Sequence, residues 1–260
     1  MNRFLPQDKS AELLRVLQAS SIQTSYDPEK HRLALLDDSG NEQVYFRLPI
    51  TLPAPAPGLV AGATQVNYVV VLIQSGNCAL GYFENGFNLD HKVFRSYMVR
   101  KKQGKSQIKY LKTKGKSRAG SRVRLGETLE FFENINGRLQ EYFEEHEVHR
   151  IAISCSKTLL PYLYNSKVAT PFHKHDPRLF RIPRHIHTPI YEVLLDTNRF
   201  LLRGELIYEP AQQPLVDNLL QNLDWREEEA PGEWYMEEEA EFDEADDLYE
   251  EEEEEPGEWD

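Results

Sequence analysis

Apolar positions recur with two different periods along this chain of 260 residues. Residues 8–19 place Leu13, Leu14 and Leu17 on one side, which predicts a short helix with Ser10 available as its cap. Strand-like pieces follow at Arg32–Leu36 and Val44–Leu48, separated by the turn signal Asp38-Ser39-Gly40. Pro49–Pro57 is too proline-rich for either element and reads as a stiff connection. Asn67–Gln74 is a continuous apolar run rich in β-branched residues, the mark of a strand buried on both faces. Turns at Ser75-Gly76-Asn77 and Asn85-Gly86 lead into Cys78–Phe83 and then Lys92–Val99, predicting a three-stranded meander.

Farther on, Leu125, Leu129, Phe132, Ile135, Leu139 and Tyr142 are spaced by three or four residues, one stripe of a long helix. Val148–Cys155 reads as a strand, and a polar loop rich in Pro and His runs from Asn165 to Pro189. The next helix carries Thr188 as cap, Pro189 at its first position and Gly204 after its last turn. Glu205–Tyr208 is a closing strand, and Leu215, Val216, Leu219, Leu220 and Leu223 form a last amphipathic patch. Strand, helix, strand in this order predicts an α/β chain, a mixed β-sheet with flanking helices. The expected organisation is an N-terminal α+β segment with its Pro-rich connection over 1–66, a main domain over 67–209, a short amphipathic helix over 210–223, and a disordered acidic C-terminal tail over 224–260.

Charge changes this picture. The formal net charge is -13, yet residues 224–260 hold 21 acids against the single base Arg226. The remaining 223 residues have 22 acids and 29 bases, a net of +7. Within them, Lys92 to Arg124 contains 13 Lys and Arg and no acid. Such a local field selects an anionic partner whatever the chain average says. The tail repeats Pro231-Gly232-Glu233-Trp234 as Pro256-Gly257-Glu258-Trp259, which suggests recruitment of a protein partner or plain solubilisation. At a net of -20 it can also compete with RNA for the basic stretch. Deleting 224–260 is then expected to raise RNA affinity at low salt, with the difference shrinking at high salt; binding isotherms at two ionic strengths check this, and unchanged affinity removes the competition.

Several chemistries are disfavoured. Two cysteines, Cys78 and Cys155, make no disulfide framework and no CxxC zinc pattern. The N-terminus lacks the apolar core of a signal peptide, and the run Val69–Ile73 is far short of the ~20 residues that span a bilayer. These features predict a cytoplasmic protein with no membrane partner. G-x-S-x-G, a Walker loop and a dinucleotide fingerprint are all missing. His173, His175, His185 and His187 form two H-x-H pairs. Only Asp176 could join them as a ligand, and Arg178, Arg181 and Arg184 would repel a cation, so RNA contact or loop polarity is the expectation and neither metal nor cofactor is called for.

Within the basic stretch runs Arg100-Lys101-Lys102-Gln103-Gly104-Lys105-Ser106-Gln107. Gly104 lets the backbone turn and come close to another backbone. The flanking bases neutralise phosphates. Gln107 cannot titrate near neutral pH, but it can orient a water or a ribose hydroxyl while a neighbouring N–H stabilises an oxyanion. Phe94, Tyr97 and Tyr110 interleave with the bases; Tyr110 is the one expected to be exposed, while Phe94 packs the strand. On spacing alone a solvated basic loop is the stronger reading of these residues.

The stretch HKVFRSYMVRKKQGKSQIKYLKTKGKSRAGSRVR running into LGETLEFFENINGRL resembles the Vms-like release factor family, ribosome-rescue relatives of the catalytic middle domain of eukaryotic and archaeal peptide release factors. In that branch the loop is written Gly-x-x-Gln, as in Gly104-Lys105-Ser106-Gln107. A basic helix with an S-A-G-like segment follows, here Ser117-Arg118-Ala119-Gly120-Ser121, where Arg118 is an insertion. Lys174-His175-Asp176-Pro177-Arg178 through Ile182-Pro183 is similar to the family's C-terminal part, and the likeness runs from about Leu5 to Glu209.

The resemblance implies a release-factor-like fold and cleavage of peptidyl-tRNA on stalled ribosomes or large subunits. Gly104 and Gln107 would be catalytic, with Arg100, Lys101, Lys102, Lys105, Lys109, Lys112, Lys114, Lys116, Arg118, Arg122 and Arg124 binding RNA. Two routes are open, ester hydrolysis and scission of the tRNA near its 3′ end, and the family analogy favours the second. The alternative is a non-catalytic ribosome or RNA adaptor that recruits a partner through its tail.

Overall fold

Among the described residues, the apolar run Asn67–Gln74 is the middle strand, β5, of a five-stranded mixed sheet. The computed structural model describes residues 1–55, 66–96, 119–221 and 223, with the side chains of 119–125 outside that description. Residues 68 to 73 of β5 are all buried, which is why they read as one unbroken apolar block. On one side β5 pairs antiparallel with β6 (Asn77–Glu84), and β6 with β7 (Phe87–Arg95). On the other it pairs parallel with β8 (Arg150–Cys155), and β8 with β9 (Leu179–Arg181). The meander is therefore present, but its last strand begins five residues before the expected Lys92. Strand β9, inside the segment expected to be loop, extends the sheet by only three residues.

Helices α2 (Ala119–Glu145) and α3 (Leu160–Tyr164) cover one face of this sheet, where Phe132, Ile135, Leu139 and Tyr142 meet Val69, Val71, Ile73, Leu80 and Tyr82. Leu129 departs from the predicted stripe: it is 39% exposed, and Phe131 packs in the core instead. Helix α4 (Tyr191–Leu201) covers the other face through Leu194 and Leu201. Its N-cap is Ile190 with no side-chain cap bond, so Thr188 and Pro189 precede the helix and do not start it.

A second five-stranded sheet, entirely antiparallel, takes the order β1 (Asn2–Leu5), β10 (Gly204–Tyr208), β4 (Glu42–Arg47), β3 (Arg32–Leu36), β2 (Thr24–Asp27). Between β3 and β4, Gly40 takes φ +83 and the Asp37 carboxylate accepts from the backbone N–H groups of Ser39 and Asn41. Helix α1 (Gln7–Ala19) and helix α5 (Gln213–Gln221) pack on this sheet through Leu13, Leu14, Leu17, Val216, Leu219 and Leu220. Ser10 is no cap. It is buried in α1 and its hydroxyl donates to Pro6 O at 2.7 Å, because the helix begins at Gln7. The closing strand β10 is inserted between β1 and β4, so the chain returns to its own N-terminal sheet to finish it.

The two sheets are joined by buried polar groups. His31, with φ +48 in the turn before β3, is fully buried. Its Nε2 faces Pro49 O at 3.1 Å, and its Nδ1 meets Tyr26 OH at 2.7 Å and Arg150 Nη1 at 3.1 Å. One nitrogen must donate and the other accept, so this is a neutral imidazole with the proton on Nε2. Burial, and then the Arg150 charge, hold its pKa well below the ordinary value. The unfolded chain therefore takes up a proton near pH 6.5 that the folded chain refuses, and stability present above pH 6.5 is lost as the pH falls below it. Below that value stability is expected to fall by roughly 1 kcal/mol per pH unit. Denaturant midpoints between pH 7.5 and 5.5 measure it, and His31→Asn, which tolerates the same φ, is expected to flatten it.

Candidate functional site

Strands β5, β7, β8 and β9 all run the same way, since β6 is the one antiparallel member between them. Their C-terminal ends therefore share one edge of the mixed sheet, where the connections after parallel strands gather functional residues. In register, Arg95, Asn77 and Gln74 form a row along that edge. Strand β7 leaves it into the long basic segment, and α2 brings the chain back from Ala119.

The proposed catalytic Gly104 and Gln107 lie outside the described residues, as do Arg100, Lys101, Lys102, Lys105, Lys109, Lys112, Lys114, Lys116 and Arg118. The expected exposure of Tyr110 and the whole tail 224–260 lie outside them too. Arg122 and Arg124 sit on the backbone of the first turns of α2. What the structure does give is the root of the segment. Ser96 donates its N–H to Gly76 O at 2.8 Å and its hydroxyl to Glu127 O at 3.3 Å. Ser96, the first residue after β7, is thus tied both to the β5–β6 turn and to α2.

Beside this root is a cleft of about 300 Å³ lined by Phe94, Arg95, Ser96, Glu127, Glu130, Phe131 and Asn134. Two carboxylates and one guanidinium face a common space there. No sequence signal marks Glu127 and Glu130 as neighbours of Arg95; only the packing of α2 across β7 brings them together. Lys157, in the turn after β8, adds an exposed cation to the same edge. Gln74 Nε2 donates to Ile186 O at 2.7 Å, which fastens the segment carrying Arg184, His185 and His187 over the edge. Arg184 is itself paired with Asp196 at 2.7 Å.

The four histidines are not brought together as a set. His185 and His187 stack edge to face at 4.4 Å, while His173 Nδ1 accepts from the backbone N–H of His175 within its own turn. Among the described residues no three His, Cys, Asp or Glu side chains converge on a metal-sized site. Cys78 and Cys155 flank Ile73 on neighbouring strands. Burial pushes the Cys155 thiol up to about 12 and raises Cys78 well above the ordinary value, so neither presents a thiolate nucleophile near neutral pH. No helix among the described residues is long and apolar enough to cross a membrane.

A family model described as "Bacteroidetes VLRF1 release factor" matches residues 68–209, from the second residue of β5 to just past β10. A solved structure titled "Vms1 mitochondrial localization core" aligns with 15% sequence identity and a TM-score of 0.35, covering 56% of this chain and 58% of that one. The chain thus spans little more than half the length of that structure. No curated protein matches the chain.

Proposed function

The chain belongs to the Bacteroidetes VLRF1 release factor family, and from that membership we propose that it frees stalled nascent chains from peptidyl-tRNA on ribosomes or large subunits through the loop Gly104–Gln107. The observation that carries the reading is the family match over residues 68–209, which encloses this loop and the acid-free run Lys92–Arg124. Support from the fold is the root of the loop, anchored through Ser96 on the edge where four strands end together.

In this reading Arg100, Lys101, Lys102, Lys105 and the bases through Arg124 hold the phosphate backbone, which gives affinity and register without base specificity. Gln107 then positions a nucleophile against the reacting carbonyl carbon or phosphorus. If that nucleophile is water, the ester to the peptide breaks, with backbone N–H groups stabilising the tetrahedral oxyanion. If it is a ribose 2′-hydroxyl, the adjacent phosphodiester breaks, and lysines offset charge on the phosphorane-like state. Neither route requires a metal, and the second is the one we favour.

The test is purified protein on stalled large subunits carrying labelled peptidyl-tRNA, with the freed RNA's 3′ end analysed. A terminus with intact nucleosides identifies ester hydrolysis; a shortened tRNA identifies strand scission. Release by the wild-type chain that Gln107→Ala abolishes supports the proposal. Binding by both with release by neither replaces it with the adaptor.

A further inference from the structure

A second open cleft, of about 510 Å³, lies on the other face of β7, lined by Val93, Arg95, Ile190, Tyr191 and Glu192. Its size falls within the ~300–1,000 Å³ of small-ligand sites. Pairing of Val93 with Ala79 and of His91 with Gly81 turns both side chains to the face covered by α4. There the exposed His91 ring stacks on Tyr191, with centroids 3.8 Å apart and planes at 22°. Of the two rings only Tyr191 lines the cleft; it is half-buried against the core, and the stacked His91 holds it in place. Arg95 is the one residue that lines both this cleft and the cleft at the loop's root.

The three chemistries gathered here point to one class of ligand. A tyrosine ring steadied by a stacked imidazole is a platform for a further flat ring, and any nucleobase supplies one. Arg95 offers a fork of donors to a phosphate. Glu192 can only accept, so it suits the exocyclic amino group that cytosine, adenine and guanine carry and opposes a bare anion or the carbonyls of uracil. We propose that this cleft holds one unstacked nucleotide of a single-stranded RNA, a base with an exocyclic amino group in preference to uracil, next to the point where the catalytic loop leaves the sheet. The identity of the natural RNA rests on the release-factor reading above; the binding itself does not.

The experiment uses the full chain and fluorescein-labelled hexacytidine and hexauridine at low salt, read by anisotropy. Hexacytidine is expected to bind at least about fivefold more tightly; Tyr191→Leu is expected to weaken it about tenfold, the effect of losing one stacked base, and His91→Ala about threefold by freeing the Tyr191 ring. Tyr191→Phe keeps the stack and is expected within twofold of wild type. Glu192→Gln, whose amide can both donate and accept, is expected to bring the two oligomers within twofold of each other. His91 is exposed, so its variant remains folded, and thermal melting checks Tyr191→Leu. Wild-type affinity in both His91→Ala and Tyr191→Leu, or undiminished discrimination in Glu192→Gln, overturns the proposal. If those variants bind normally while Gln107→Ala still abolishes peptide release, the cleft is wrong and the release reading stands. If release is absent but binding depends on His91 and Tyr191, the reverse holds.

Discussion

Replacing Gln107 by Ala is expected to slow peptide release by about 10²-fold or more while leaving affinity for stalled large subunits within twofold. Removing one preorganised hydrogen-bonding group from an oxyanion-type site costs about 2.7–4 kcal/mol of barrier, or 10²–10³ in rate. A neutral amide releases no counterions on binding, so its loss leaves the salt-dependent part of affinity intact. Lysines at the same loop are expected to behave in the opposite way. Changing Lys101 and Lys102 together to Ala lowers affinity across all RNA sequences and reduces the slope of log K against log salt by about 1–2. Single-turnover release at saturating protein separates the two effects. Equal losses of rate in Gln107→Ala and the double lysine variant would mean the loop merely binds.

Arg47→Ala is expected to cost about 3–5 kcal/mol of folding stability, with a fall of roughly 10 °C in melting temperature for a body of this size. Arg47 Nε is 2.9 Å from Glu205 Oε2, with side-chain exposures of 4% and 8%. The guanidinium also lies 4.2 Å from the centre of the Phe200 ring and reaches Phe200 O at 3.4 Å. It therefore ties β4 and β10 to the end of α4. Burial lowers the Arg47 pKa from its usual value and the Glu205 carboxylate acts against that shift. Truncation strands Glu205, whose other partner is Asn2 Nδ2 at 3.0 Å. The double variant Arg47→Leu with Glu205→Leu removes both charges and is expected to recover most of the loss. Chemical denaturation of the three variants measures this; a double variant as unstable as Arg47→Ala would assign the loss to missing packing over Phe200.

These two residues mark what the sequence could and could not disclose. Gln107 could be put forward from sequence because a glycine, bases and a resemblance agree locally, and it lies outside the described residues. Arg47 was not, because its partner is 158 residues away and both look like ordinary exposed charges. Strand β5 could be read from its unbroken apolar run, whereas β9 could not: three residues with one buried side chain give no period to detect. Leu129 fits the helical spacing yet is exposed, while Phe131, which breaks the spacing, packs in the core. Ser10 and Thr188 have the right chemistry for caps but stand inside or before their helices. The basic segment was visible as charge, and its acidic neighbours Glu127 and Glu130 only as geometry. The His91–Tyr191 stack joins residues a hundred positions apart and leaves no local trace.

The insertion of β10 between β1 and β4 sets an order on biosynthesis. Both flanking strands leave the ribosome more than 150 residues before the strand that separates them, while every strand of the mixed sheet has emerged by Arg181. The mixed sheet can thus close during translation, and the N-terminal sheet must wait with an open edge. A product truncated anywhere before Gly204 keeps that edge open for good, with Phe46 and Leu48 beside it, and is expected to aggregate instead of settling as a shorter protein.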